Sequence, residues 1–286
     1  MAHAKIKEAD AILDKEFRVL DIGFIRLVDY MGSDSSIVQA ARVSYGEGTK
    51  KVSEDRGLIR YLLRHRHTTP FEMVEFKFHV KLPIFVARQW IRHRSANVNE
   101  YSGRYSIMKE EFYLPEAENV QYQSTVNKQG RSKKVVPDNV KKEMIDYLSS
   151  SQKDAYNKYM EYVDMGLARE LARINLPLSL YTEWYWKIDL HNLFHFLSLR
   201  MDPHAQKEIR EYAIVMAEMV KKVCPVAYEA FVDYKINSVG FSGVELDILK
   251  EQLTSKELEL EALVDNGLSK REARELILKI KQLKER

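Results

Sequence analysis

A chain of 286 residues with 45% hydrophobic and 30% charged residues has ordinary globular composition and can bury a substantial core without disulfides. Its 45 basic and 42 acidic residues leave a net charge of +3, too balanced for binding long nucleic acid by bulk electrostatics. The single cysteine, Cys224, excludes an intrachain disulfide framework. The sequence shows neither a signal-peptide pattern nor an apolar run long enough to span a membrane, so we expect a cytoplasmic protein without membrane or nucleic-acid partners.

The first predicted elements are one strand and two helices. β-branched and aromatic residues from Phe24 to Tyr30 predict a strand. Capping side chains at 34–36 predict a helix over Ile37–Val43. A second helix is expected to be capped by Ser53 and to continue through Arg64.

The clearest strand signal is a strict alternation of apolar and polar residues from Val74 to Lys81. One face of this strand should be buried and the other polar, as in an antiparallel sheet packed on helices. Pro83 suits the first turn of a helix, which we expect to continue from Ile84 to Arg92. Ser, Asn, Glu and Gly then dominate from His93 to Arg104, which predicts a loop.

The second half of the chain is expected to be mainly helical. The polar stretch 116–135 predicts a long surface loop that could act as a lid. Helices are expected over 138–165, 167–175, 189–200, 203–222 and 226–235. With strands early and helices late, the predicted fold class is α+β, a central antiparallel sheet flanked by helices. We expect a main domain over 1–235 and a helical C-terminal extension over 236–286, with a capping box formed by Ser269 and Glu272.

Four arginines cluster between positions 88 and 104. Arg88 and Arg92 are one helical turn apart, and Arg94 and Arg104 flank a loop of small polar residues. Guanidiniums this close repel one another unless anions or carboxylates compensate them, and arginine suits bidentate recognition of phosphate. Four large side chains are interleaved with them: Trp90, Ile91, Tyr101 and Tyr105. A solvated basic face is the alternative, and these large residues favour the anion site only slightly.

The same segment resembles a known family. Arg92-His93-Arg94, followed after seven residues by Ser102-Gly103-Arg104, resembles the RHR…SxR signature of flavin-dependent thymidylate synthases. Further segments are similar to blocks of that family: 66–72 (RHTTPFE), 169–173 with 176–178, and 199–206 (LRMDPHAQ). The resemblance extends from about residue 17 to about residue 235, so it implies that 1–235 is the catalytic domain.

The resemblance implies the fold of that family and a homotetramer with active sites at subunit interfaces around FAD. It implies synthesis of dTMP from dUMP by reductive methylation. Methylenetetrahydrofolate would donate the carbon, and FADH2, reduced by NADPH, would donate the hydride. No cysteine nucleophile is needed in this chemistry, and no metal is expected.

Residue roles also follow from the resemblance. Arg200 would be the catalytic residue, a cation that stabilises negative charge on the activated pyrimidine. The residues implied to contact dUMP are Gln89, Trp90, Ile91, Arg92, Glu100, Tyr101, Ser102, Gly103, Arg104, Arg173 and Arg200. Those implied to contact FAD are His67, Thr69, Arg92, His93, Arg94, Glu100, Asp189, Leu190, His191 and His195. Some members carry Asn and Arg where this chain has Asp189 and His191, which indicates a subtype.

Two other classes of function are open from the residues alone. His191 and His195 have the spacing of two metal ligands on one helix face, near Asp189, and His65 and His67 could supply more. A metallohydrolase is therefore an alternative, although no HExxH motif is present. A nucleic-acid-binding module using the arginines and aromatic stacking is a third hypothesis, which the near-neutral net charge disfavours.

Two candidate nucleophiles and one glycine-containing segment are not expected to take part in catalysis or dinucleotide binding. Cys224 precedes Pro225 at a predicted helix end among apolar residues, so we expect a packed, unreactive thiol. Ser102 lacks a Ser/His/Asp arrangement and is expected to bind substrate. The nearest approach to a dinucleotide-binding glycine motif, at 46–48, lacks the third glycine, so no Rossmann site is indicated.

Overall fold

A computed structural model describes residues 5–43, 55–125, 128–252 and 259–285. The predicted cap Ser53 and the glycine pattern at 46–48 lie outside these residues. The chain divides into two compact units, Met1–Ile236 and Asn237–Arg286. Within the described ranges, no helix has both the length and the apolar character that crossing a membrane requires.

The first unit is organised around a five-stranded sheet in the order β1-β2-β3-β5-β4, with every neighbouring pair antiparallel. Its strands are β1 (Phe17–Val19), β2 (Gly23–Met31), β3 (Glu75–Pro83), β4 (Asn97–Glu100) and β5 (Tyr181–Asp189). The predicted α+β class with a central antiparallel sheet is confirmed, as are the predicted strands that became β2 and β3. Strand β3 is central and buries alternate residues from Phe76 to Val80, as its alternation indicated. Lys81, which was expected on the polar face, is buried together with Leu82 and Pro83.

Three strands, β1, β4 and β5, were not predicted. The expectation that strands come early and helices late is wrong, because β5 follows the long helical region and pairs with β3 along its whole length. The predicted loop over His93–Arg104 is also wrong in part, because β4 forms within it. All four β4 residues are exposed, so the strand exists through backbone pairing with β5 and not through an apolar face.

Helices occur in both units of the chain. In the first unit they are α1 (Lys7–Asp10), α2 (Asp34–Val43), α3 (Asp55–Arg64), α4 (Thr69–Glu72), α5 (Ile84–Trp90), α6 (Asp138–Asp164), α7 (Arg169–Ala172), α8 (Leu190–Arg200), α9 (Lys207–Val223) and α10 (Pro225–Phe231). A 3₁₀ turn, Arg173–Asn175, follows α7, and a π-helical turn, Val232–Ile236, follows α10. Helix α5 ends two residues earlier than predicted, so Arg92 lies in the turn beyond it. Helix α9 begins at Lys207 instead of at 203.

The core beneath the sheet contains an aromatic cluster that fixes the end of α5. Trp90, the last residue of α5, packs edge-on against Trp184 and Trp186 of β5, with ring centroids 5.6 and 5.2 Å apart. Phe196 and Tyr212 complete the cluster, and all five side chains are buried. Truncating such a buried aromatic typically costs about 3–5 kcal/mol of stability. The basic segment that follows α5 therefore begins from a rigid point.

The polar stretch 116–135 contains little regular structure in its described part. It holds a short 3₁₀ turn, Ala117–Asn119, and an isolated bridge between Gln123 and Arg131. Backbone hydrogen bonds from Ser124 to Gly130 and from Ser132 to Tyr122 fold it back on itself. Its role as a lid stays a prediction.

The second unit contains α11 (Gly243–Gln252), α12 (Leu260–Asp265) and α13 (Lys270–Glu285). The predicted capping box is confirmed. The Ser269 amide donates to Glu272 Oε2 (2.9 Å), and the Glu272 amide donates to Ser269 Oγ (3.2 Å).

Candidate active site

The segment Arg92-His93-Arg94 lies in the turn between α5 and β4. Backbone hydrogen bonds to the last turn of α5 fix this segment, including one that the His93 amide donates to the Trp90 carbonyl (3.0 Å). Among the residues that the structure describes, the guanidiniums of Arg88, Arg92 and Arg94 have no carboxylate partner, and all three side chains are exposed. Unpaired, clustered cations of this kind are suited to an anionic ligand.

A cavity of about 190 Å³ opens beside this turn. It is lined by Ile91, His93, Arg94, Ala96, Val98, Trp184 and Trp186. The buried indole Nε1 of Trp184 has no hydrogen-bond partner within the described part of the chain. An apolar, aromatic wall with cations at its rim can accept a planar ring system that carries a negatively charged tail.

The helix α8 brings Arg200 to the same place. Its Nε donates a hydrogen bond to His93 Nε2 at 3.0 Å, joining two motifs that are 107 residues apart in sequence. The His93 ring packs against Phe196 (4.9 Å) and lies 5.9 Å from the His195 ring. Burial, followed by the charges of Arg200 and His195, lowers the pKa of His93 to about 4. His93 is therefore neutral near pH 7, and its Nε2 can act as an acceptor.

This arrangement makes one component of stability depend on pH. An unfolded histidine takes up a proton below about pH 6.5, whereas His93 in the folded protein resists protonation down to about pH 4. The contribution of His93 to the free energy of unfolding is therefore complete above about pH 6.5 and is lost as the pH falls from 6.5 to about 4. We expect His93→Gln, whose amide oxygen can accept the same bond without titrating, to lose less stability than the wild type over that interval. Melting temperatures measured from pH 4 to 7 check this, and parallel curves would contradict it.

The Ser102-Gly103-Arg104 loop follows β4. Gly103 is buried against Arg173, and a Cβ at this position would lie 3.0 Å from Arg173 Cδ, 3.1 Å from its Nη1 and 2.8 Å from Met108 Sδ. Only glycine permits this close approach without displacing its neighbours. The structure thus brings together Arg173 and the loop, which the resemblance had assigned to one ligand.

Arg104 faces a second cavity, of about 480 Å³, between the loop and the start of α7. Its Nε is 3.1 Å from Glu170 Oε2, and both side chains are more than half exposed. Exposed pairs of this kind contribute little stability, about 0–1 kcal/mol. A phosphate could therefore replace Glu170 as the partner of Arg104 at small cost.

Three other residues predicted to contact dUMP have defined positions. The Glu100 carboxylate accepts a hydrogen bond from Thr182 Oγ1 (2.8 Å). Tyr101 donates through its hydroxyl to the Ile107 carbonyl (2.8 Å). Trp90 is fully buried in the aromatic cluster, so any contact with a ligand would have to come from its main chain.

The remaining predicted FAD residues fall into two groups. Asp189 caps α8, accepting from the Asn192 amide (2.9 Å), and Leu190 is fully buried, so both stabilise the start of that helix. His67 stacks on Tyr61 (5.9 Å between centroids), and Thr69 is exposed at the start of α4. Within the described part of the chain, neither makes a hydrogen bond or ring contact with Arg92-His93-Arg94.

The metallohydrolase alternative finds no support in this geometry. Across the described ranges, no group of three or more His, Cys, Asp or Glu side chains is placed to hold a metal ion. His191 and His195 share a helix face, but no third His, Cys, Asp or Glu among the described residues joins them in a metal-binding group.

Sequence reasoning missed a buried polar cluster next to the site. Glu208, 1% exposed near the start of α9, accepts hydrogen bonds from Arg131, Tyr113 and Gln206. The available signal was a carboxylate one turn before Tyr212, on the apolar face of an amphipathic helix.

Comparison with known proteins agrees with the motif resemblance. Residues 26–226 match the family model described as thymidylate synthase complementing protein. A flavin-dependent thymidylate synthase from Treponema denticola is 58% identical over 269 residues, which cover 94% of this chain and 98% of that protein. One from Wolbachia pipientis wMel is 58% identical over 272 residues, covering 95% and 94%.

A solved structure is also similar. The UMP/dUMP methylase PolB from Streptomyces cacaoi, bound with 5-Br dUMP, has a TM-score of 0.69 and 33% identity over 77% of this chain and 98% of PolB. This chain belongs to the flavin-dependent thymidylate synthase family.

Proposed function

We propose that this protein synthesises dTMP by methylating dUMP in a flavin-dependent reaction. Family membership supports this, as do the relatives and the dUMP-analogue complex of PolB. The observation that carries the proposal is the hydrogen bond from Arg200 to His93, because it unites the RHR segment with the LRMDPHAQ segment beside a ring-sized cavity.

The residues around the first cavity fit a flavin. Arg92 and Arg94, which have no carboxylate partner among the described residues, supply cations for the anionic part of FAD, and Trp184 and Trp186 supply an aromatic wall. When bound and reduced by NADPH, FAD supplies the hydride, and methylenetetrahydrofolate supplies the carbon. Further contacts with FAD are proposed for His67, Thr69, Glu100, Asp189, Leu190, His191 and His195. Leu190 would contribute through its main chain.

The nucleotide is proposed to lie between the Ser102-Gly103-Arg104 loop and Arg200. Arg104 and Arg173, with the Ser102 hydroxyl, would hold its phosphate, because phosphate is best recognised by guanidiniums and hydroxyl donors. The pocket would be completed by Gln89, Ile91, Arg92, Glu100 and Tyr101, together with the main chain of Trp90.

Arg200 is proposed to activate the pyrimidine. Its Nε is engaged by His93, and its two terminal nitrogens have no hydrogen-bond partner among the described residues, so they can face the ring. A fixed cation in a partly buried site stabilises negative charge on the pyrimidine more strongly than water does. The neutral His93 orients this cation without competing for the anion.

We also propose a homotetramer with sites at subunit interfaces. Large apolar side chains are exposed on and around α7, next to Arg173 and the second cavity: Leu167, Leu171, Ile174 and Leu178. Exposed apolar groups concentrated beside a binding loop are typical of a surface that another subunit covers.

No cysteine nucleophile is proposed. Cys224 is fully buried at the end of α9, and burial, then the nearby Asp34 charge, raises the pKa of its thiol well above the usual range. A protonated, enclosed thiol is a poor nucleophile. We therefore expect Cys224→Ala to retain kcat within about twofold, with a stability cost of roughly 1 kcal/mol for the lost packing. A dTMP assay and a denaturation curve check this, and abolished turnover in a folded variant would restore cysteine catalysis.

The proposed activity is tested on the purified protein. We expect a flavin absorption spectrum, its bleaching by NADPH with dUMP present, and dTMP formation when methylenetetrahydrofolate is added. A protein that binds neither flavin nor dUMP contradicts the proposal. Retention on DNA at moderate salt without flavin colour would favour the nucleic-acid-binding alternative.

A further inference from the structure

The buried carboxylate of Glu208 connects to the proposed nucleotide pocket. Its Oε1 accepts from Tyr113 Oη (3.0 Å) and from Arg131, and its Oε2 accepts from Gln206 Nε2 (2.9 Å). Gln206 Oε1 in turn accepts a hydrogen bond from Gln89 Nε2. Gln89 lies on α5, one turn before Arg92.

The charge of Glu208 gives this chain of hydrogen bonds a direction. Burial alone raises the pKa of Glu208, but the bonds from Arg131 and Gln206 outweigh it and hold the pKa below its usual value. Glu208 also lies in the first turn of a 17-residue helix, where the helix dipole favours an anion. An ionised carboxylate can only accept hydrogen bonds.

Each amide in the chain must follow that direction. If Gln206 turned over, its oxygen would face the carboxylate, and two acceptors would repel each other. Gln206 is therefore held with its NH2 group toward Glu208 and its oxygen toward Gln89. Gln89 must therefore donate through its own NH2 group. Its Oε1 then makes no bond within the relay, which is the hydrogen-bonded series Glu208, Gln206 and Gln89.

We propose that Glu208 is a positioning residue for the nucleotide. Acting through Gln206, it fixes the amide of Gln89 so that the Gln89 Oε1 is presented to an N–H or O–H donor of dUMP. This inference rests on the proposed function, since it requires that Gln89 contacts dUMP.

Two variants interrupt the relay at different points. Glu208→Gln removes the charge at nearly constant shape, so both orientations of Gln206 become acceptable. Gln206→Met removes the amide at an exposed position, where folding should tolerate the change. For each, we expect the KM for dUMP to rise about tenfold, as for the loss of one well-placed hydrogen bond, with kcat within about twofold.

Tyr113→Phe is the matched control. It removes one hydrogen bond to Glu208 Oε1 but keeps the carboxylate charge and the relay. We expect its KM for dUMP to be unchanged. Flavin content, melting temperature and the KM for methylenetetrahydrofolate serve as readouts of general structural damage, and we expect none of them to follow the dUMP effect.

The double variant Glu208→Gln/Gln206→Met tests whether the two residues act in series. We expect its KM for dUMP to equal that of Gln206→Met alone, because Glu208 has no other route to Gln89 in the relay. Additive effects, an unchanged KM in both single variants, or an equal rise in Tyr113→Phe would each overturn the positioning role. Failure of the unaltered protein to form dTMP would instead contradict the proposed function and remove the basis of this role.

Discussion

Replacing Arg200 with alanine should abolish dTMP formation while leaving FAD bound. The guanidinium is held by His93 through Nε, so its terminal nitrogens form a fixed cation beside the first cavity. Removing one preorganised stabilising group from an active site typically lowers kcat by about 100- to 1000-fold. The flavin contacts proposed for Arg92, Arg94 and the aromatic wall remain, so the flavin spectrum should persist.

The matched control for this experiment is Arg18→Ala. Arg18 is an exposed arginine on β1, at the edge of the sheet opposite β4. We expect it to retain wild-type kcat and flavin content. Near-normal turnover in Arg200→Ala, or loss of flavin with loss of turnover, would contradict the assigned catalytic role.

Substituting Gly103 should weaken dUMP binding more than its small size suggests. A Cβ at this position would lie 2.8 Å from Met108 Sδ and 3.1 Å from Arg173 Nη1, so Met108 must shift and the guanidinium must move by a few tenths of an ångström, away from the position that suits the loop. Loss of one charge-assisted contact to phosphate is worth about 1.5–3 kcal/mol, so we expect the KM for dUMP to rise roughly 10- to 100-fold in Gly103→Ala. Gly103→Val should have the larger effect.

Gly57→Ala is the control for the loss of a glycine. Nothing lies within 4 Å of a Cβ there, and the residue is inside α3, where alanine favours the helix. We expect equal or greater stability and an unchanged KM for dUMP. If Gly103→Ala also leaves this KM unchanged, Arg173 does not hold the phosphate in the way proposed.

Local pattern predicted the strands whose two faces differ sharply. Strand β3 alternates strictly and was predicted within two residues of its ends. Strand β5 also buries alternate residues, but Tyr185 adds an exposed aromatic between Trp184 and Trp186 and obscures the alternation. Strand β4 has no buried residue, so its formation depends on the edge that β5 offers and could not be read from its own sequence.

For the site as well, the sequence indicated which residues take part but not which contacts they make. Motifs indicated that Arg92, His93 and Arg200 act together, but not that a hydrogen bond over 107 residues joins two of them. The approach of Gly103 to Arg173 depends on where α7 packs, which is tertiary information. Glu208 was missed because a single charged residue near a helix start resembles an ordinary solvated side chain until its burial is known.

The aromatic cluster at the end of α5 also determines the optical behaviour of the molecule. All three tryptophans of the chain belong to it, so the intrinsic fluorescence originates from one place. Because the indoles are buried, they should emit at the short wavelengths of an apolar environment. Trp184 and Trp186 also line the first cavity, so an isoalloxazine ring seated there would quench them by energy transfer. Loading of the cofactor could then be followed through ultraviolet emission, without a label.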